Sequence, residues 1–279
     1  MDQHVQNSLF DENNPISFVN LKDFVEDAIY DFRYSTTYNF TGKVVPGYEK
    51  VRTIITSPAA VALKEARDSL KYVECVHLAL GKNDAEKIVN ISFDIAKEIK
   101  RCNLDENINQ EDIFKILNSE IYTSTGKSLD FGNIESLYNI YTFKIFDTYR
   151  PYKAVNYFMN WAKSEEKSMK RTFYPLKSKE QIVKEGYLLK KTGHSRGSAV
   201  DLTLFNLING KDVDMGSPFD YFGEISNYDQ NGKNVNSEQQ FNRMILRLLM
   251  IKNGFNTLDT EWWHFTLKDE PYPDLYFDF

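Results

Sequence analysis

The chain has 279 residues, 27% of them charged and 42% hydrophobic, ordinary values for one large globular domain. A formal net charge of −6 removes the basic footprint that a phosphate backbone requires, so no nucleic-acid partner is expected. No apolar run approaches the roughly 18 residues of a membrane span and the first twenty residues lack a basic start followed by an apolar core, so the chain is read as cytoplasmic, with no membrane partner and with Cys75 and Cys102 as reduced thiols.

After a polar N-terminal tail over 1–17, residues 18 to 56 alternate short apolar stretches with turn signals such as Pro46-Gly47, predicting irregular structure and short strands. Ser57-Pro58 opens a helix to about residue 72, with Pro58 suited to the first helical position and Val61, Leu63, Ala66 and Leu70 as its apolar face. From about 74 to 137 the texture changes. Ile88, Ile91, Ile95 and Ile99 fall at helical spacing among Lys and Glu, and Ile113, Ile116 and Leu117 follow, so a helical insertion is expected whose isoleucine stripe packs on the domain.

Residues 140 to 146 have the β-branched and aromatic content of a strand, and Asp147-Thr-Tyr-Arg-Pro151 turns into a helix near Ala154 to Ala162, placing Arg150 at a strand-to-helix junction. Gly193, Ser195, Gly197 and Ser198 mark a loop. In the alternating run from Ala199 to Leu204, period two puts Val200, Leu202 and Leu204 on the core face and points Asp201 away from it. Ser237 and Gln240 form a candidate capping box for a helix carrying Phe241, Met244, Ile245 and Leu248, which Gly254 can end; Trp262 to Leu267 should be the last strand. With no internal repeat or low-complexity linker, the expectation is one α+β domain over 18–279, a central mostly antiparallel sheet flanked by helices, with the helical insertion embedded in it.

Only four histidines are present. His4 and His77 lack comparable neighbours, whereas His194 is followed by Asp201 and His264 is preceded by Glu261. Two imidazoles and a carboxylate supply the three ligands of a catalytic zinc, with the fourth position left to water and Glu261 left over to take that water's proton. A loop histidine or a strand aspartate alone is ordinarily a surface or hydrogen-bonding residue; the combination is what points to a hydrolase. On a strand, the odd separation of Glu261 and His264 needs a turn or bulge, and a turn at Glu261 is expected. Trp262 and Trp263 are read as core residues that also wall the site against water. Cys75, His77 and Cys102 are a second metal candidate without an evident fourth ligand.

Several runs, in order, resemble the D-alanyl-D-alanine dipeptidase family of the VanX type: Tyr34 with Asn39-Phe-Thr-Gly-Lys43, Asp147-Thr-Tyr-Arg-Pro151, the stretch from Gly193 to Leu204, and Glu261-Trp-Trp-His264 followed by Lys268-Asp-Glu-Pro-Tyr-Pro273. The resemblance covers nearly everything outside the tail and the 74–137 segment. It implies a zinc dipeptidase that hydrolyses the D-Ala-D-Ala dipeptide with one zinc ion per chain, held by His194, Asp201 and His264. It further implies Glu261 as general base, Arg150 as the oxyanion-stabilising arginine, and Asp220 with Tyr34 as the receptor of the substrate ammonium. Where the family usually has serine contacting the substrate carboxylate, this chain has Thr192, which keeps the hydroxyl, followed by Gly193. Capture of both termini would restrict the partner to a small dipeptide. Two alternatives remain: a D,D- or L,D-carboxypeptidase acting on cell-wall peptides, and a non-catalytic zinc-binding module of the same fold. Homo-oligomerisation is left open, as are the physiological role and the purpose of the insertion.

Overall fold

The computed structural model of the protein describes residues 5–6, 17–80, 84–103, 110–128, 130, 136–229 and 232–279. Of the polar tail, only Val5–Gln6 and Ser17 fall among them. The N-terminal part holds four short strands, β1 (Val5–Gln6), β2 (Phe18–Asn20), β3 (Ile29–Tyr30) and β4 (Ile54–Thr56), and from β2 to β4 they are linked by loops and single 3-10 turns as the interrupted apolar pattern of 18–56 predicts. Helix α1 (Ser57–Leu70) follows, with Pro58 as its second residue rather than its first. Its buried face is Ala59, Ala60, Leu63, Ala66 and Leu70. Val61 is exposed, contrary to expectation, because two residues along a helix rotate it about 200° away from Leu63.

Helices α2 (Val73–Leu80), α3 (Ala85–Asn103) and α4 (Gln110–Thr125) occupy the predicted helical segment. Ile88, Ile91, Ile95 and Ile99 are all buried and belong to the same hydrophobic cluster as the sheet residues Val200 and Phe265. The stripe therefore packs inward: α3 lies against α1, α4 and the long helix near the C-terminus. Cys75 is fully buried, with its thiol pushed up to about 12 by burial, and Cys102 points its Sγ at Glu98. Among the described residues, no cluster of metal-ligating side chains forms around them.

Strand β5 (Tyr141–Asp147) leads through a turn into α5 (Tyr152–Ala162), followed by α6 (Lys170–Phe173) and α7 (Lys179–Lys184). Then come β6 (Ala199–Asn206), the short β7 (Lys211–Asp212), α8 (Ser237–Lys252), and the hairpin of β8 (Phe255–Leu258) with β9 (Glu261–Leu267); β10 (Tyr276–Phe277) pairs in parallel with β1. The capping box of α8 is formed by Asn236 and Gln239, one residue earlier than the Ser237 and Gln240 expected. Asparagine is an equally good cap acceptor, so two adjacent frames competed in the sequence and the upstream one won. Gly254, at φ +89°, ends the helix as expected.

The main sheet runs β3-β5-β6-β9-β8, with β7 added to β6. Only β3 with β5 is parallel; every other pairing is antiparallel. Both α1 and α8 pack on this sheet, so the molecule is an α+β domain with one open, mostly antiparallel sheet flanked by helices. Period two does send Val200 and Asp201 to opposite faces of β6, but both are buried: the face carrying Asp201 is not solvent but the floor of a cleft.

Candidate active site

Three side chains converge because of how two central strands pair. Asp201 on β6 stands directly opposite His264 on β9, which places their side chains as cross-strand neighbours. His194 arrives from the 3-10 turn that immediately precedes β6. Gly193, at the start of that turn, allows its close approach: a Cβ there would lie 2.9 Å from Thr266 Cγ2 and 3.0 Å from Ala199 Cβ. This glycine is packed in place, and its role is room rather than flexibility.

The result is a tight donor set. His264 Nδ1 is 2.9 Å from Asp201 Oδ1, His194 Nε2 is 3.2 Å from Asp201 Oδ2, and the two imidazole nitrogens are 3.2 Å apart. His194 Nδ1 donates to the Thr148 carbonyl at 2.7 Å, which fixes that nitrogen as the N–H and leaves Nε2 presenting a lone pair. His264 Nε2 meets Thr266 Oγ1 at 3.0 Å, leaving Nδ1 for the centre. Two imidazole nitrogens and a buried carboxylate this close together form a donor set that could hold a cation between them. Two nitrogens and one oxygen, each oriented by an outer hydrogen bond or a strand, fit a zinc ion with an open fourth position. Burial alone would raise Asp201, but His194 and His264 more than offset it and hold its carboxyl well below the usual carboxylate range. Burial also lowers the proton affinity of His264, against the pull of Asp201.

These three residues line a cavity of about 200 Å³ together with Glu261, Arg150, Asp220, Tyr34 and Thr192. All eight residues that the sequence singled out thus face one space. Glu261 is buried, and burial first, then the charges of Asp201 and Asp220, push its carboxyl well above the ordinary range despite Arg150. It reaches the cleft because the β8–β9 hairpin slips register: one step from Thr257 to Leu258 answers to four from Phe265 to Glu261. The turn expected at Glu261 lies instead at residues 259–260, and Glu261 is the first residue of β9, brought to the cleft by the bulge.

Asp220 occupies the left-handed backbone region, φ +63°, which is uncommon outside glycine but which aspartate adopts more readily than most residues. Its Oδ1 accepts from Tyr34 Oη at 3.2 Å, while Oδ2 is buried without a hydrogen-bond partner. Burial, reinforced by Asp201, raises its carboxyl to about 8, against Arg150 and Tyr34. Arg150 directs Nη2 toward Asp201 Oδ2 at 3.5 Å, and its guanidinium carbon lies 5.1 Å from the Tyr34 ring and 5.3 Å from the Phe158 ring. Burial would cost its charge, but Tyr34, Asp147, Tyr48 and Asp201 more than offset this and hold it protonated. Thr192 Oγ1 accepts from the His194 backbone N–H at 3.3 Å.

Two expectations need correction. Trp263 walls the cavity, but Trp262 lies on the other side of β9 and donates from Nε1 to Ser217 Oγ at 2.9 Å. Strand alternation separates adjacent residues, so a tandem pair cannot share a wall. The sequence reading also passed over Asp147 and Tyr48. Asp147 is completely buried and accepts from both Arg150 Nε and Tyr48 Oη. The signal in the sequence is an aspartate closing an apolar strand three residues before Arg150, a position that a turn former fills equally well.

A cation-ready donor set, a buried carboxyl able to move a proton and a buried guanidinium, all facing one cleft, define a site of the hydrolytic class. Residues 123–279 match the family model described as D-Ala-D-Ala dipeptidase. The chain is 33% identical over 265 residues to the D-alanyl-D-alanine dipeptidase of Enterococcus faecium, covering 95% of this chain and 98% of that protein. It is 32% identical over 263 residues to the enzyme of the same name from Enterococcus faecalis, covering 94% and 96%. The same-named protein of Streptomyces coelicolor is 40% identical over 136 residues, covering 48% of this chain and 66% of that protein. The chain belongs to the D-alanyl-D-alanine dipeptidase family, and it is a peptidase.

Proposed function

We propose that this chain hydrolyses the D-alanyl-D-alanine dipeptide to two D-alanines, using one zinc ion held by His194, Asp201 and His264. The observation that carries the substrate reading is Asp220: a buried carboxyl with one oxygen unpartnered, aimed into a small cleft beside the donor set. A substrate ammonium is the group that such an oxygen lacks, and a blocked or extended amino end would leave it facing an uncharged amide. The cavity, at about 200 Å³, is smaller than the roughly 300–1,000 Å³ of pockets for drug-sized ligands, which suits a dipeptide.

A zinc ion in this donor set would lower the pKa of a water from about 15.7 toward roughly 7 and polarise the scissile carbonyl. Glu261 acts from its carboxylate form, taking a proton from the attacking water and returning it to the leaving amine, and the burial that raises its proton affinity makes that carboxylate a stronger base. Arg150 presents Nη2 on the Asp201 side of the cleft and meets the negative charge that develops on the carbonyl oxygen. Tyr34 and Asp220 hold the amino end, and the Thr192 hydroxyl receives the carboxylate end. Purified, zinc-loaded protein should release D-alanine from D-Ala-D-Ala and leave N-acetyl-D-Ala-D-Ala and a pentapeptide stem nearly untouched. Cleavage of the stem in preference to the free dipeptide would overturn the proposal in favour of a carboxypeptidase.

A further inference from the structure

The Arg150 guanidinium has two hydrogen-bonding edges, and only one of them faces the donor set. The other is taken: Nε donates to Asp147 Oδ2 at 2.9 Å. Asp147 in turn accepts from Tyr48 Oη at 2.7 Å through Oδ1, so both of its oxygens are committed. Neither Asp147 nor Tyr48 lines the cavity, and both are buried. Tyr48 comes from the loop after Pro46-Gly47 and packs edge-on against Tyr34, with ring centroids 5.4 Å apart. Asp147 sits at the end of β5, where the pairing with β6 slips register between Ile145 and Asp147. A strand end, a loop far upstream in the chain and the turn into α5 are thereby tied together at one carboxylate.

The geometry points to Tyr48 and Asp147 as positioning residues: a buried Tyr48–Asp147 pair grips the Nε edge of Arg150 and sets the aim of its Nη2 edge, which lies 3.5 Å from Asp201 Oδ2, at the reacting carbonyl. The grip is needed because the rings of Tyr34 and Phe158, with centroids 5.1 and 5.3 Å from the guanidinium carbon, offer it no directional hydrogen bond and so do not set its aim. A carboxylate in contact with Nε supplies that direction. An error of about 1 Å in the placement of a reacting group costs up to about 100-fold in rate, so a lost grip should appear in kcat with little change in KM. The inference rests on the proposed hydrolysis for the role of Arg150, not for the grip itself.

Two variants and two readouts test it. Tyr48→Phe deletes one hydroxyl, and Asp147→Asn keeps the shape while removing the charge that Arg150 meets. On D-Ala-D-Ala, Tyr48→Phe should lower kcat roughly 10-fold and Asp147→Asn roughly 100-fold, with KM within about 2-fold and zinc content unchanged. In metal-free protein, the Arg150 Nε–H resonance, assigned by its loss in Arg150→Lys, should exchange slowly in the wild type and quickly in both variants. Unaltered kcat and exchange in Tyr48→Phe overturn the inference, as does a kcat loss matched by loss of zinc; where Asp147→Asn fails to fold, Tyr48→Phe decides. An inactive wild type with a protected Nε–H would refute the proposed reaction and leave the grip standing.

Discussion

Replacing Asp220 with asparagine keeps the shape of the side chain and removes the charge that is proposed to receive the substrate ammonium. Breaking one side of a buried charge pair costs about 2–5 kcal/mol. Part of that is not available here, because burial has raised Asp220 to about 8. On that value about a tenth of Asp220 carries the charge at pH 7 before substrate binds, which sets about 1.4 kcal/mol of the contact against removing the proton. The net loss for Asp220→Asn is then about 0.6–3.6 kcal/mol, or roughly 3- to 400-fold in kcat/KM, carried mainly by KM. The assay is D-alanine release from D-Ala-D-Ala at pH 7, in parallel with N-acetyl-D-Ala-D-Ala. Wild type should strongly prefer the free dipeptide, and the variant should lose most of that preference by falling on the free dipeptide alone. Equal KM in the two proteins, or a wild type indifferent to acetylation, would refute the reasoning.

Glu261→Ala should retain zinc and lose turnover by about 100- to 10,000-fold, checked by metal analysis beside the rate. Ile95→Ala, at a fully buried position of α3, should cost about 2–5 kcal/mol in urea denaturation of the whole domain; a loss below about 0.5 kcal/mol would mean that the 74–137 helices do not share its core. The raised carboxyl of Asp220 also fixes a sign for stability. Between its unfolded value near 3.8 and its folded value of about 8, the native state binds the extra proton, so the metal-free protein should lose stability as pH rises through that window. Melting temperatures of Asp220→Asn minus wild type, measured in chelator, should therefore climb from pH 4 to pH 8; a flat difference would contradict the burial argument.

How much of this was legible in the sequence follows the range of the forces involved. The 3.6-residue stripe of Ile88, Ile91, Ile95 and Ile99 and the β-branched run before Asp147 are local patterns, and both appear where expected. Asp201 was correctly placed opposite the Val200 face, yet its burial was not legible, because what covers that face comes from residues far away in the chain. Glu261 is an intermediate case: its odd separation from His264 calls for a turn or bulge, but the register slip between β8 and β9 that supplies it is set by strand pairing. Asp147 and Tyr48 were missed for a related reason: their meaning lies in a contact across 99 positions of sequence. The cap of α8 moved by one residue because Asn236 and Ser237 are both competent acceptors, and only the observed hydrogen bonds distinguish them. Of the eight cleft residues, residue types alone point to His194, Asp201, His264 and Glu261, whereas Arg150, Asp220, Tyr34 and Thr192 are implied only by the family resemblance; all eight line one cleft.

The claim on which the proposed chemistry depends is that one zinc ion sits among His194, Asp201 and His264. Anomalous diffraction at the zinc edge from crystals of protein purified without added metal tests it directly. The account predicts a single peak per chain at about 2.0–2.2 Å from His194 Nε2, His264 Nδ1 and an Asp201 oxygen. A peak held by other residues, or none in protein that cleaves the dipeptide, would contradict it.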